Sequence, residues 1–467
     1  MKKEKNLPVV IVSVFLLLLG TSLVFSSGQK ESKAMTETAL EGKQIAEVGP
    51  YLARTGVSGD VVFSNGWTGN RIPIMDEQIA AFSKYYPNVT IKSEVVKPAD
   101  LEKVNMTAMA AGTPADVMMI RSDSIPFLSD KASIVSLDDL IKRDKLDAEK
   151  IFYKGELGAA KYNGKLWALP NVVGGSRHYM YYNLSLVEKA GLDGKNLPKT
   201  WQDLDMWADA VRKGVPGSYL LEPNHTCGSH PPILVWMTVN NGKYISDDLK
   251  KILLDSPEAL ETMEWMVQFI KRQADSYQKM AMTEAPRMDC IQGPTNWLPG
   301  VYVAVNHGAA WFNQLEGAAP DFRWAASLLP KNGKNPKAEY GAPTYAGWTY
   351  MIPKGARNLE AGWEWLKYAT AGEGQHSFIV KNQLRASPAG IYNSDPLPAE
   401  KNPIWSLIVE DLNLAKPIPV TPVHTDIREV MYNMTDKALF GEMTPKEAVA
   451  WGTKEAQKIL DAWNASR

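Results

Sequence analysis

Between Gly59 and Ile120 the hydrophobic pattern alternates between two periods, and that alternation restricts this stretch to a sheet built by crossovers. Asp60-Val61-Val62-Phe63 is a short apolar strand ending in Ser64-Asn65-Gly66, a turn signal. Met75, Ile79, Phe82 and Tyr86 then recur at i, i+4, i+7 and i+11, one face of a helix that Pro87-Asn88 stops. Val89, Ile91 and Val95 alternate as a second strand, Asp100 to Ala111 reads as a second helix, and Asp116-Val117-Met118-Met119-Ile120 is a third strand apolar enough to be buried on both faces. Strand, helix, strand, helix, strand predicts an α/β fold with right-handed crossovers. Ligands of such sheets sit beyond the carboxyl ends of the strands. Those ends carry Asn65-Gly66-Trp67-Thr68 and Arg121-Ser122-Asp123-Ser124, which makes Trp67 and Asp123 candidates from topology alone.

Further along, Ser256-Pro257-Glu258 is a capped helix start, with Leu260, Met263, Val267 and Ile270 as the stripe behind it. Val301 to Val305 and Thr349 to Ile352 read as strands, Glu360 to Ala369 as a helix stopped at Gly372, and Pro445 to Trp463 as the closing helix. With 467 residues the chain has room for two or three domains. The 51 basic residues nearly cancel the 52 acidic ones, which argues against a nucleic-acid partner. Two cysteines exclude a disulfide scaffold, although Cys227 and Cys290 could form one bridge in an oxidising compartment.

Residues 1–26 have the build of a secretory signal peptide: Lys2, Lys3 and Lys5, an apolar run from Val9 to Leu19, and Val24 and Ser26 positioned for cleavage after Ser26. Leu7 to Phe25 is close to the length of a membrane span, so an uncleaved anchor is the competing reading. No Cys precedes Cys227, so no lipoprotein anchor is expected. Residues 27–58 read as a polar linker.

The catalytic motifs are missing: no GxxxxGK[ST], no HExxH and no GxSxG, Gly174-Gly175-Ser176-Arg177-His178 lacking the final Gly. His225-Thr226-Cys227-Gly228-Ser229-His230 offers metal-capable side chains, but no second ligand pair stands at zinc-finger spacing. Neither a catalytic residue, a cofactor nor a metal is expected.

Four strings carry a family likeness. Ala110 to Ile120 reads AAGTPADVMMI; Tyr162 to Pro170 reads YNGKLWALP, followed by Tyr181-Tyr182-Asn183 and Leu197-Pro198-Lys199-Thr200-Trp201. Gly300 to Trp311 reads GVYVAVNHGAAW, and Gly347 to Ala369 reads GWTYMIPKGARNLEAGWEWLKYA. The chain resembles the extracellular solute-binding proteins of ABC sugar importers, the maltodextrin-binding group. Val303 stands where the family usually has Met, and the lipoprotein Cys is missing. The resemblance implies a periplasmic-binding-protein fold of two discontinuous lobes, each a mixed sheet flanked by helices. Lobe 1 would be 59–169 and 307–372, lobe 2 would be 170–306 and 373–467, and hinge strands would lie near 168–173 and 303–308. It also implies a monomer outside the cytoplasm that closes on a carbohydrate and docks on ABC permease subunits in the membrane. A polyamine, an osmolyte or a polyol phosphate as ligand, or a secreted carbohydrate-active enzyme, are the alternatives.

A pyranose has apolar C–H faces and a rim of hydroxyls, so its cleft wants an indole or phenol under the face and polar groups at the edge. On that basis Trp311, after the return crossing, and Tyr345 with Trp348 on the next loop join Trp67 and Asp123 as ligand-binding candidates. Arg177, Trp236 and Arg385 are the candidates from the second lobe. The chain's 15 Trp and 18 Tyr against 11 Phe fit such half-wet surfaces.

Overall fold

The computed structural model describes residues 48–466 except 174–177, 226–229, 282–296, 310, 342 and 345. The signal-peptide expectation, most of the linker, the candidates Arg177 and Tyr345, and the Cys227–Cys290 bridge therefore lie outside the described residues.

Strands of four or more residues are, in chain order, β1 (Gly59–Asn65), β2 (Val89–Val95), β3 (Val117–Arg121), β4 (Leu169–Val172), β5 (Tyr179–Asn183), β6 (Ala304–His307), β7 (Trp324–Leu328) and β8 (Trp348–Met351). The helices of eight or more are α1 (Arg71–Tyr85), α2 (Pro98–Ala110), α3 (Trp201–Gly214), α4 (Pro257–Gln273), α5 (Trp311–Ala318), α6 (Leu359–Ala371), α7 (Trp405–Leu414), α8 (His424–Leu439) and α9 (Pro445–Ala465).

The first sheet runs in the order β2-β1-β3-β8-β4. β1 pairs in parallel with β2, Gly59 opposite Val89 through Asn65 opposite Val95, and in parallel with β3. This is the crossover unit that the alternating periods predict. β8 closes against β3 and β4 in the antiparallel sense, Trp348 facing Arg121 on one side and Val172 on the other. Behind this sheet α6 is buried from Ala361 to Ala371, Trp363 and Trp365 with no exposed surface. The first core also holds an ion cluster: Lys367 Nζ lies 2.7 Å from Asp144 and 2.8 Å from Glu364, and all three side chains are fully buried. Three full hydrogen-bond partners, the third being the Leu52 carbonyl, are what make an ammonium tolerable there.

A second core surrounds the antiparallel sheet β6-β5-β7. α4 begins as its sequence predicts, with the Ser256 hydroxyl accepting the Ala259 N–H, and buries Met263, Val267 and Ile270. α3 and α9 both open with a capping box, Thr200 with Asp203 and Thr444 with Glu447.

The lobe boundaries read from sequence need correction. The first core draws its buried apolar residues from 48–172, 350–379 and 389; the second draws them from 173–346, 380, 386 and 404–460. Residues 311–329, expected in lobe 1, belong to the second core, because β7 pairs with β5 over its full length and Trp311, Phe312 and Leu315 pack there. The strand expected to return the chain at 303–308 is β6, an edge strand of the second sheet. The chain passes between cores at Val172 to Val173, at Ala346 to Trp348, and again around Ile379 to Ile404.

Candidate functional site

Where those passages meet, a cavity of about 270 Å³ opens, walled by both cores. From the first core come Trp67 on the loop after β1, Arg71 in the first turn of α1, and Val172 at the end of β4. From the second come His307 at the end of β6 and Trp311 and Phe312 at the start of α5. Trp348 and Leu384-Arg385-Ala386 complete it from the crossing segments. The last of these follows a π-helical turn, His376–Asn382, and Leu384 adopts a left-handed φ of 51°, a conformation that costs a branched residue and recurs at ligand sites.

Four of the sequence-predicted candidates line this cavity: Trp67, Trp311, Trp348 and Arg385. Trp67 is 4% exposed, its indole N–H donating to Tyr350 Oη at 2.7 Å and its ring meeting Phe378 edge-on. Trp311 is 1% exposed, stacked on His307 at 4.5 Å and edge-on to Tyr181, so it is a core side chain with one edge at the cavity. Trp348 is half-buried and is the indole of the three with surface to offer.

Two candidates do not line it. Asp123 is held by its own strand end, Arg121 bonding it through Nε at 3.1 Å and Nη2 at 2.6 Å, with Arg428 Nη1 at 3.8 Å. Burial alone would raise its pKa; the charge and hydrogen bonds of Arg121 outweigh burial and hold the carboxyl below its usual value. Trp236 is buried in the second core, its N–H donating to the Pro223 carbonyl at 2.9 Å and its ring against Trp265. Its helix, Pro232–Thr238, is buried all round, so the indole serves packing.

Arg71 and His307 were missed. Arg71 Nε donates to Gln383 Oε1 at 3.2 Å, its guanidinium carbon sits 5.7 Å from the Trp67 ring centre, and partial burial lowers its pKa. The loop that gave Trp67 runs directly into Arg71, so the strand-end rule extended by one helical turn would have found it. His307 Nδ1 accepts the Gly308 N–H at 2.9 Å, which leaves the ring proton on Nε2. Burial pushes its pKa down to about 3, with His225 adding to the effect, so the ring is neutral. Among the described residues the buried Nε2 of His307 and Nε1 of Trp311 have no hydrogen-bond partner, two stacked rings each with a donor beside the cavity. Leaving such a donor unpaired costs about 1–3 kcal/mol.

Among the described residues no three His, Cys, Asp or Glu side chains come together as a metal site, and no helix is long and apolar enough to cross a membrane.

Comparisons with known proteins agree with this architecture. The family model for bacterial extracellular solute-binding protein matches residues 77–403. A Brucella abortus protein named as a binding protein is 23% identical over 443 residues, covering 91% of this chain and 95% of its own length. A maltooligosaccharide ABC transporter solute-binding lipoprotein of Streptococcus pneumoniae is 22% identical over 356 residues, 74% of this chain and 77% of the relative. In three dimensions the sugar-binding protein MalE of Xanthomonas citri superposes with a TM-score of 0.73 at 17% identity, over 87% of this chain and 98% of that one, and shares the two-lobed fold. The family match begins within α1, takes in every later strand of both sheets and ends in the last crossing segment, and the chain belongs to the bacterial extracellular solute-binding proteins.

Proposed function

We propose that the protein is the exported binding subunit of an ABC importer, taking up a saccharide in the cavity between its two cores and passing it to permease subunits in the membrane. It acts outside the cytoplasm, as its family does. One observation carries the ligand class: Trp67, Trp311 and Trp348, from both cores and a crossing segment, converge on one small cavity with guanidiniums beside them. Indoles suit the C–H face of a pyranose and N–H donors suit its rim. At about 270 Å³ the cavity is near the small end of ligand sites, so it fits a short saccharide rather than a long chain. The pneumococcal relative named for maltooligosaccharide transport and the Xanthomonas neighbour named as sugar-binding support the same class.

Binding without turnover is the reading that the described lining supports. A glycoside hydrolase needs two carboxyls across the bond it cuts, and no Asp or Glu stands among the described lining residues. A polyamine is disfavoured by the two guanidiniums in the wall. The protein works as a monomer, and the lobes close on the ligand about the crossing segments.

The test is a thermal-shift screen of residues 27–467 against mono- and oligosaccharides, with recovery of the sugar. A ligand at 100 times its Kd stabilises by about 2.7 kcal/mol. A shift with a saccharide that is recovered intact supports the proposal. No shift with any saccharide overturns the ligand class, and consumption of the sugar overturns the non-enzymatic role.

A further inference from the structure

Among the described lining residues the side chains are rich in donors and poor in acceptors: the polar ones are Arg71, Arg385, His307, the indoles and Asn402. Arg71 uses its Nε on Gln383, and among the described residues no acceptor or carboxylate takes its two Nη groups, so the open end of the fork is left for a ligand. His307 Nε2–H and Trp311 Nε1–H have no acceptor among the described residues. The lone side-chain amide, Asn402, is engaged at both ends: its Nδ2 donates to the Leu384 carbonyl at 3.1 Å and its Oδ1 accepts the Ile404 N–H at 3.1 Å.

The described side chains of this wall offer a neutral sugar many donors and few acceptors. Every hydroxyl of a neutral saccharide is a donor as well as an acceptor, and each one desolvated in the cavity needs an oxygen to receive its proton. Among the described lining residues no carboxylate supplies one. A ligand that exchanges hydroxyl donors for acceptor oxygens, and brings negative charge to the open fork of Arg71, suits this wall better. A planar carboxylate meets the two Nη groups of an arginine in parallel, the strong bidentate form of the contact.

We infer that the saccharide taken by this cavity is anionic, a sugar acid whose carboxylate is held by Arg71 on the Trp67 side of the cavity, with Arg385 adding positive charge. The inference rests on the saccharide reading above. Partial burial of Arg71 strengthens the contact, because its charge is less screened than at an open surface. A sulfate or phosphate ester offers the same acceptor oxygens, and separate probes tell these sources apart.

The experiment is titration calorimetry of residues 27–467 with disaccharides of galacturonate, glucuronate and mannuronate, each beside its methyl ester and its neutral parent sugar, and with 6-sulfated and 6-phosphorylated hexoses. At least one uronate is expected to bind about thirtyfold or more tightly than its own ester. Arg71→Gln is expected to collapse that ratio toward one. Arg71→Lys, which keeps the charge without the fork, should recover part of it and guards against a folding defect in the first variant. Neutral sugars or esters binding as tightly as the acids would overturn the inference and leave the saccharide proposal standing. Preference for a sulfate or phosphate ester over every uronate would overturn the carboxylate. Silence across all the sugars would overturn both.

Discussion

Asp123 Oδ2, carried by the first core, lies 3.8 Å from Arg428 Nη1, carried by α8 of the second. The carboxylate is already neutralised by Arg121 at 2.6 Å, so Arg428 adds a tie between cores rather than rescuing an unpaired charge. Lys131 over the Trp463 ring, 5.1 Å from its centre, is a second tie of the same kind. Arg428→Gln is therefore expected to leave the melting temperature nearly unchanged and to weaken ligand binding by roughly fivefold, about 1 kcal/mol, by releasing the closed arrangement. Calorimetry together with small-angle scattering of the ligand-free protein checks this. Unchanged affinity and radius would mean that the pair does not bias closure.

Trp348 and Trp311 should separate binding from stability. Trp348 is half-buried at the cavity, and Trp348→Ala is expected to lower saccharide affinity by about 2 kcal/mol, roughly thirtyfold, with little loss of stability. Trp311 is wedged among Tyr181, Trp297 and His307, so Trp311→Ala is expected to cost about 3–5 kcal/mol of folding free energy first. Urea denaturation of both variants beside their ligand titrations decides it; the opposite pattern would exchange their roles.

Acid should weaken the fold through two buried histidines. Burial depresses His307 to about 3 and His424 to about 4, while in the unfolded chain both titrate near 6.5. The unfolded state therefore binds more protons between those values. Stability is fully present above pH 6.5 and falls as pH drops toward 4, by up to about 1.4 kcal/mol per pH unit for each histidine. Denaturation midpoints at pH 7, 6 and 5 test the slope, and a flat profile would mean that the two rings are hydrated.

Removing the cation of the buried cluster should be costly. Lys367→Met leaves Asp144 and Glu364 buried together with one partner fewer each, an expected loss of about 3–5 kcal/mol. A double change, Lys367→Met with Glu364→Gln, should regain part of it. The denaturation midpoints of the two variants measure the difference, and equal losses would place the cost in packing rather than in charge.

The crossover unit was legible because its periods are local: Met75, Ile79 and Phe82 mark α1, and an unbroken apolar run marks β3. The strand-end rule then found Trp67, but Asp123 at an equivalent end is turned aside by Arg121, two residues before it. A sequence shows that both charges exist and not which rotamer pairs them. The lobe boundary failed for a related reason. A short buried strand reads the same whichever sheet it joins, and β7 is assigned to the second sheet only by its pairing with β5, more than a hundred residues earlier. Arg71 was passed over because a cation at a helix start looks like solvated surface until the neighbouring wall is in place.

Val172 and Trp348 face each other across a strand pair just where two of the passages leave the first core, and both also line the cavity. The floor of the pocket is thus part of its own hinge. A side chain changed there alters the shape presented to the sugar and the torsion about which the molecule swings, in a single step. On the closure proposed above, selection for a new cargo at these two positions retunes the opening motion at the same time, and Arg71, bonded to Gln383 on the third passage, carries a weaker form of the same coupling.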